Sequence, residues 1–498
     1  MKSTAARPLV LVLVVASGLA AGCAVGPTYK RPPVTAPELT RGQVGPAEAA
    51  SLADQPWWEI FGDDSLKALI DEALRNNYDV RAAAWRVEEF RARAGIARSE
   101  LFPQIGYQAQ WSRSRQSDLV LPGSRPVNIH DVNLGVSWEI DLWGRIRRLS
   151  EAALAQYLAT REAQRGVLLS VVSEVGQAYF ELRELDAQLE IARRTTETFQ
   201  GTYDLFNRQL VGGVTNQLVV SRAEAALGTA AAAIPNLERL IVAQENLLCF
   251  LVGRNPGPIP RGRRLTEQAL PPEIPAGLPS TLLVPVGLPS TLLERRPDLR
   301  QAEQQLVAAN ANVGAAIASF FPRISLTGAF GGVSPEVSDL FQAGKTWSVA
   351  AGLTGPLFQG LRLKNQYDAS VAQWEQAKIQ YESAVTNAFG EVSTALVAHQ
   401  KLAEVETQQA RSVGAYQEAV RLANIRYLAG LSSYVEVLDA QQQLFPAENA
   451  LAQLRFSRLS NFVQLYKALG GGWNTADPAW ARPALDSSAP KPPAVPPH

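Results

Sequence analysis

The sequence predicts a mainly α-helical protein that also carries membrane β-barrel strands, written twice along the chain. Three observations carry this. First, the 32 prolines are clustered: seven in residues 1–56, ten in 255–297 and seven in 478–497, with none in 127–234 or 357–445. Proline inside a helix costs about 3 kcal/mol, so the empty stretches permit long helices. Second, after Phe102-Pro103 and again after Phe321-Pro322 the pattern switches to apolar–polar alternation in segments of strand length. Third, landmark residues recur at a nearly constant offset.

Composition removes several classes. Lys plus Arg and Asp plus Glu each number 47, so the formal charge is zero and the basic signature of a nucleic-acid binder is missing. At 46% hydrophobic and 19% charged residues, the 498-residue chain can bury a large core. Two cysteines, three histidines and one methionine leave little for a disulfide framework, a zinc site or a thioether metal path. Beyond the N-terminus no apolar run reaches about 18 residues, so no ordinary transmembrane helix is expected.

In chain order, residues 1–22 read as a secretory signal peptide: Lys2 and Arg7, the apolar stretch Leu9 to Ala16, then small residues before Cys23. Leu19-Ala20-Ala21-Gly22-Cys23 resembles a bacterial lipobox, with Ala20 where Leu is usual. Cys23 is therefore the expected site of a covalent N-terminal lipid, and the only cofactor-like group expected. Residue 24 is Ala, not the Asp of inner-membrane retention, which favours the outer membrane. Residues 23–62 form an N-terminal segment.

The first repeat spans 63–253. Ile105, Tyr107, Ala109 and Trp111 alternate with polar or small residues in a strand of about 103–113, and Val132, Leu134, Val136, Trp138 and Ile140 do so over 130–142. A helical hairpin follows over 145–250, with Leu154, Tyr157, Leu158, Leu168, Val171, Val172, Val175, Tyr179 and Leu182 at helical spacing. A helix of about 60 residues is about 90 Å long and must act as a strut. Cys249 reads as a buried free thiol. Residues 254–290 are a proline-rich connector, in which Gly277 to Leu283 is duplicated ten residues on. The second repeat, 291–473, has strands at about 322–332 (Ile324, Leu326, Phe330) and 345–358 (Trp347, Val349, Ala351, Leu353), then a helical hairpin over 361–469. Residues 474–498 are a proline-rich tail expected to be disordered.

Asn77 to Arg81 parallels Arg296 to Arg300, Gly95 parallels Gly314, and Phe102-Pro103 parallels Phe321-Pro322, all at offset 219. Arg208 and Gly212 parallel Arg426 and Gly430 at 218, and Ala223, Leu248 and Gly253 parallel Ala440, Leu465 and Gly470 at 217. Aromatic residues on the apolar face of ten-residue strands are the transmembrane β pattern. Sheet edges exposed to lipid leave backbone groups unpaired, so only closed barrels survive. Four strands cannot close. Two chains would give a barrel filled by its own side chains, and three an open pore.

Several local sequences resemble the TolC/OprM family of outer-membrane efflux factors, in its lipidated NodT-like branch. They are Gly22 to Tyr29, Trp57-Trp58-x-x-Phe61, Trp138 to Arg145, Leu292 to Asp298, Phe320 to Gly328 and Tyr466 to Trp473. The duplication at 277–296 departs from the family pattern. The resemblance implies a homotrimer with a 12-stranded β-barrel in the outer membrane, a 12-helix periplasmic α-barrel and a mixed equatorial belt. It implies an exit duct that takes substrate from an inner-membrane pump of RND type through a periplasmic adaptor (membrane-fusion) protein, and it implies no catalysis.

It also implies sites. The hairpin tips at Gly212 and Gly213, and at Gly430, Leu431 and Ser432, correspond to the family's adaptor-docking tips, with Thr or Ser of each turn available to cap the returning helix. Glu436 and Asp439, three apart on one helix face, correspond to an acidic ring at the periplasmic entrance, with Tyr427 as a gate aromatic. The first-repeat positions are Val219 and Arg222, so the acidic ring comes from the second repeat alone and Arg222 is expected to tie the hairpins together. An enzyme is the weaker reading: Gly344-Lys345-Thr346 hints at a phosphate loop, but position 339 is Asp where that pattern needs Gly. A structural periplasmic coiled-coil lipoprotein is the remaining alternative; it explains the helices and not the strands.

Overall fold

The computed structural model describes residues 24–33, 61–268, 293 and 295–471. The signal peptide, Cys23, Trp57, Trp58, the duplicated Gly-Leu-Pro-Ser stretch over 277–292 and the tail lie outside the described residues. The elements are α1 (Asp64–Asn76), α2 (Tyr78–Ser99), β1 (Gln104–Ser114), β2 (Val127–Ile140), α3 (Arg145–Val211), α4 (Gln217–Leu251), α5 (Pro297–Ala318), β3 (Arg323–Ser334), β4 (Lys345–Thr354), α6 (Arg362–Leu428) and α7 (Tyr434–Ala468).

Element lengths repeat. Helices α2 and α5 both have 22 residues, α3 and α6 both have 67, and α4 and α7 both have 35. The offset changes from 219 to 217 inside each strand hairpin, because the β3–β4 link (335–344) is two residues shorter than the β1–β2 link (115–126). The hairpin tips therefore match at 217, and Gly430 corresponds to Gly213. This corrects the pairing of Gly212 with Gly430 read from the sequence. Strand β4 stops at Thr354 and not at 358, because Gly355-Pro356 follows and proline cannot donate to a ladder. Pro235 and Pro446 lie inside α4 and α7; packing along so long a helix outweighs the local cost. Helix α4 is long and apolar enough by composition to cross a membrane, contrary to the expectation from apolar runs, but Arg222, Glu224, Glu238 and Arg239 interrupt it.

The chain forms two compact units, one of residues 1–33, 86–161 and 301–382, the other of 34–85, 162–300 and 383–498. The first holds an antiparallel sheet of order β1-β2-β3-β4. Its register sets Tyr107 beside Leu134, Leu134 beside Phe330 and Phe330 beside Trp347. All four apolar sets thus share one face, while Gly106, Gly135, Ala329 and Ser348 run across the other. The apolar face is bare: Tyr107 is 87% exposed and Trp347 76%.

An N-terminal strap docks in the same unit. Val25 N donates to the Trp143 carbonyl (3.1 Å), and the Arg148 guanidinium donates to the carbonyls of Val25 and Gly26. Asn310 donates to the Pro27 carbonyl (3.0 Å), and Arg31 makes a two-pronged ion pair with Glu303 (2.7 and 2.6 Å). Gly26 has φ +106°, and a Cβ there would lie 2.5 Å from Gly314 Cα, so only glycine fits. The strap begins against Gly144, four residues past the end of β2.

The second unit has an aromatic core. Phe61 packs on Phe180 and Phe462, with ring centroids 4.9 and 5.5 Å apart. Buried Asp63 caps α1 by accepting from Ser65 N and Leu66 N, and its other oxygen accepts from Tyr179 Oη (2.8 Å), Arg263 N (3.1 Å) and Gln268 Nε2 (2.8 Å). The two repeats solve one problem with different side chains. Asn77 Nδ2 donates to the Leu251 carbonyl at the end of α4 (2.8 Å), and at the equivalent place Arg296 Nη1 donates to the Ala468 carbonyl at the end of α7 (3.0 Å).

Glu184 on α3 is buried, and that burial, with the charge of Glu181 behind it, pushes its carboxyl up to about 7, against a hydrogen bond from Gln188. An unfolded glutamate titrates near 4.3. The folded chain thus holds this proton more tightly, and the stability that Glu184 contributes is fully present below about pH 4 and is lost as pH rises through about 7. Glu184→Gln is expected to flatten this slope, so that melting in detergent shifts less between about pH 5 and 8 and occurs above the parent's temperature at pH 8.

Candidate functional site

The two helical hairpins of the second unit turn with one geometry. At the first turn Gly213 has φ +71°, Gly213 N donates to the Leu210 carbonyl (3.0 Å) and Val214 N to the Gln209 carbonyl (2.8 Å). At the second, Gly430 has φ +70°, Gly430 N donates to the Tyr427 carbonyl (2.9 Å) and Leu431 N to the Arg426 carbonyl (2.9 Å). Both are helix ends closed by a left-handed glycine, which satisfies carbonyls the helix leaves free. Gly212 donates to the Arg208 carbonyl and stays within the last helical turn. The capping expectation is corrected. Asn216, not Thr215, caps α4 by accepting from Val219 N, and Ser433 stands at the N-cap of α7 without a side-chain cap bond. Val211, Val214, Leu218, Leu428 and Leu431 are all exposed at these tips. Ser432 Oγ is shielded from solvent and makes no hydrogen bond.

Just above the second tip, the candidate entrance residues separate into two groups. Glu436 and Asp439 are exposed on the same side of α7, while Val437 and Leu438 between them are buried. Glu436 pairs with Arg426 across the tip (Nε–Oε2 3.5 Å). Tyr427 Oη accepts from Gln209 Nε2 of α3 (3.0 Å) and its ring meets Tyr434 edge-on, with centroids 4.9 Å apart. Tyr434 in turn shares a hydrogen bond with Thr202 (2.6 Å) and packs edge-on against Phe206 (4.7 Å). Arg222 is exposed on α4. Near the tips, Gln209–Tyr427 and Thr202–Tyr434 tie one hairpin to the other, and Arg194–Glu448 does so further along α3 and α7 (2.6 Å). Sequence reading missed Thr202, Phe206, Gln209, Arg426 and Tyr434. The one available signal was an aromatic residue opening α7 seven positions after Tyr427, across the glycine turn.

The arrangement can do two things physically. Acidic side chains at the solvent favour cations near them. Tyr434 holds the start of α7, and Tyr427 the end of α6, against α3 by a few hydrogen bonds and ring contacts that break and reform more readily than a packed core. Among the described residues no group of three or more His, Cys, Asp or Glu side chains is placed to hold a metal ion.

A family profile described as "Outer membrane efflux protein" matches residues 69–254 and 288–471, the two repeats. The "Probable efflux pump outer membrane protein TtgC" of Pseudomonas putida is 37% identical over 472 residues, which is 93% of this chain and 95% of that protein. The "Cation efflux system protein CusC" of Escherichia coli is 35% identical over 458 residues, 91% of this chain and 96% of that one. Among solved structures, the open state of the Neisseria gonorrhoeae MtrE outer membrane channel superposes with a TM-score of 0.82 at 34% identity, covering 90% of this chain and 98% of that one.

Proposed function

The chain belongs to the outer membrane efflux protein family, and from that premise we infer that it is the outer-membrane exit duct of a tripartite efflux system. It is mainly α with a membrane β-barrel, and its tandem repeat gives four strands and long helices per chain. The observation that carries the reading is the sheet of the first unit. It has an apolar aromatic face and, among the described residues, two edge strands, β1 and β4, each paired on one side only. Such edges are not tolerated in lipid, so copies must join edge to edge. Three copies give twelve strands and an open pore, where two give a filled barrel.

The rest of the reading follows from that pore. Cys23 carries the N-terminal lipid; the strap that begins at Ala24 sits four residues beyond a strand end, where an acyl chain reaches the adjoining leaflet, and each buried methylene adds about 0.8 kcal/mol. The exposed apolar tips dock a periplasmic adaptor, which connects the duct to an RND-type pump in the inner membrane. Glu436, Asp439 and Tyr427, with Tyr434 beside them, form the periplasmic gate. Transport is driven by the pump, and this chain contributes a passage and no bond chemistry. The test is reconstitution of the purified, acylated protein into planar bilayers. Discrete, cation-preferring current steps are expected. A protein that inserts and gives no current would leave the structural-lipoprotein reading in place.

A further inference from the structure

The sheet has two unlike ends. At one of them every strand adjoins a helix: β1 follows α2, β2 leads into α3, β3 follows α5 and β4 leads into α6. The links 115–126 and 335–344 close the other end. With the helices on the periplasmic side, the links face the cell exterior.

The apolar face changes character only at that outer end. Along β1 it runs Ile105, Tyr107, Ala109, Trp111 and then Arg113, and along β4 Lys345 stands two residues beyond Trp347. Two residues of strand rise about 7 Å, so each cation sits just past an aromatic residue, at the level where a membrane barrel meets lipid headgroups. No Asp or Glu of the four strands stands on this face, as Asp131 and Glu139 are on the other.

The first link extends the cationic end. Arg113, Arg115 and Arg125 are all exposed. Arg115 pairs with Asp118 (2.7 Å), the single acid of that link. Arg113 and Arg125 make no hydrogen bond or ion pair among the described residues. The chain between them is held in a turn: Val120 N and Leu121 N both donate to the Ser117 carbonyl (2.9 Å each), and Ser124 N donates to the Leu121 carbonyl (3.1 Å). The turn presents Leu119 and Val120, 97% and 75% exposed. Bare apolar side chains among arginines suit an amphiphile better than a free anion. The second link carries Glu336 and Asp339 and no base of its own; these acids offset Lys345 and leave the first hairpin as the cationic end.

We propose that the outer end of the first hairpin binds a phosphorylated glycolipid of the outer leaflet, with its phosphates on Arg113, Arg115 and Arg125 and its acyl chains along Trp111 and Tyr107. The inference rests on the reading of the sheet as part of an outer-membrane barrel. Charge complementarity selects this occupant. A guanidinium presents a planar fork of donors that matches phosphate oxygens, and a zwitterionic phospholipid offers no net charge in return. Each copy in the barrel carries one such site.

A lipid titration of the detergent-purified, acylated protein tests this, with bound lipid counted by native mass spectrometry. The probes are bisphosphorylated lipid A, the same lipid with its phosphates removed, and dioleoyl phosphatidylglycerol. Bisphosphorylated lipid A is expected to bind tightest. Arg113→Gln and Arg125→Gln are each expected to weaken its binding about fivefold, and both together with Arg115→Gln about a hundredfold. Arg323→Gln, at the helix-bearing end of β3, is expected to leave it unchanged. Dephosphorylated lipid A that binds as well as the intact lipid, or a triple variant that binds like the parent, overturns the site. So does phosphatidylglycerol that binds as tightly as lipid A, because any anionic lipid then suffices. Planar-bilayer current from the triple variant shows that it has folded; without that current, the single variants and the dephosphorylated lipid decide. A parent that gives no current marks failure of the duct reading, whereas a conducting parent with no preference for the phosphorylated lipid marks failure of this site alone.

Discussion

Tyr434→Ala is expected to raise single-channel conductance several-fold, while Asp439→Ala changes conductance less and weakens block by cations. The two substitutions act on different physical quantities. Tyr434 ties α7 to α3 through one hydrogen bond to Thr202 and one edge-on aromatic contact with Phe206, and its ring also meets Tyr427 at the end of α6. At about 1 kcal/mol for the bond and about 0.5–1.5 for the pair with Phe206, its removal weakens the tie by roughly 1.5–2.5 kcal/mol. Each 1.4 kcal/mol is about a tenfold change in a two-state population, so a closed entrance spends far more time open. Asp439 is exposed, and its removal leaves the tie intact while taking three charges from a three-copy ring. Planar-bilayer recordings with and without a multivalent cation separate the outcomes. Equal, unchanged conductance and block in both variants would remove the gate assignment.

Asp63→Ala is expected to cost about 3–5 kcal/mol of stability, the sum of a lost helix cap and of buried donors left without an acceptor. Its carboxylate serves five donors: two backbone amides of α1, the Tyr179 hydroxyl, Arg263 N and Gln268 Nε2. Tyr179 Oη also accepts from Gly262 N, so the loss spreads to a second bond (3.0 Å). Asp63→Asn keeps the shape and an acceptor oxygen, and is expected to lie between the two. Thermal melting in detergent measures both. A melting temperature for Asp63→Ala within a degree of the parent's would show that the network is incidental.

The strands and the long helices were legible because their periods differ and their lengths repeat. Tyr107, Leu134, Phe330 and Trp347 announce one face of a sheet, and the proline-free stretches announce α3 and α6. Helices α1, α2 and α5 were harder to place. They are shorter, and α2 carries charge all around, with Arg81, Arg86, Glu88, Glu89, Arg91 and Arg93 in close succession. The cap of α4 was misassigned because Thr215 and Asn216 are adjacent and both suit an N-cap; only the backbone decides between them. The ties between the hairpins near their tips were out of reach for another reason. Gln209 and Tyr427 are 218 residues apart, and nothing local in either neighbourhood signals the other. The strap was half visible. Gly26 stands in the Gly22 to Tyr29 motif and Gly314 is a landmark of the repeat, but their contact is a property of the folded unit alone.

The central claim is that one chain supplies too few strands to seal itself in lipid. Native mass spectrometry of the purified, acylated protein released from detergent measures the number of copies directly. Three copies per particle are expected, with the sheet edges protected from amide exchange. A conducting particle of one or two copies, or edge strands that exchange freely in the membrane-inserted state, would contradict the account.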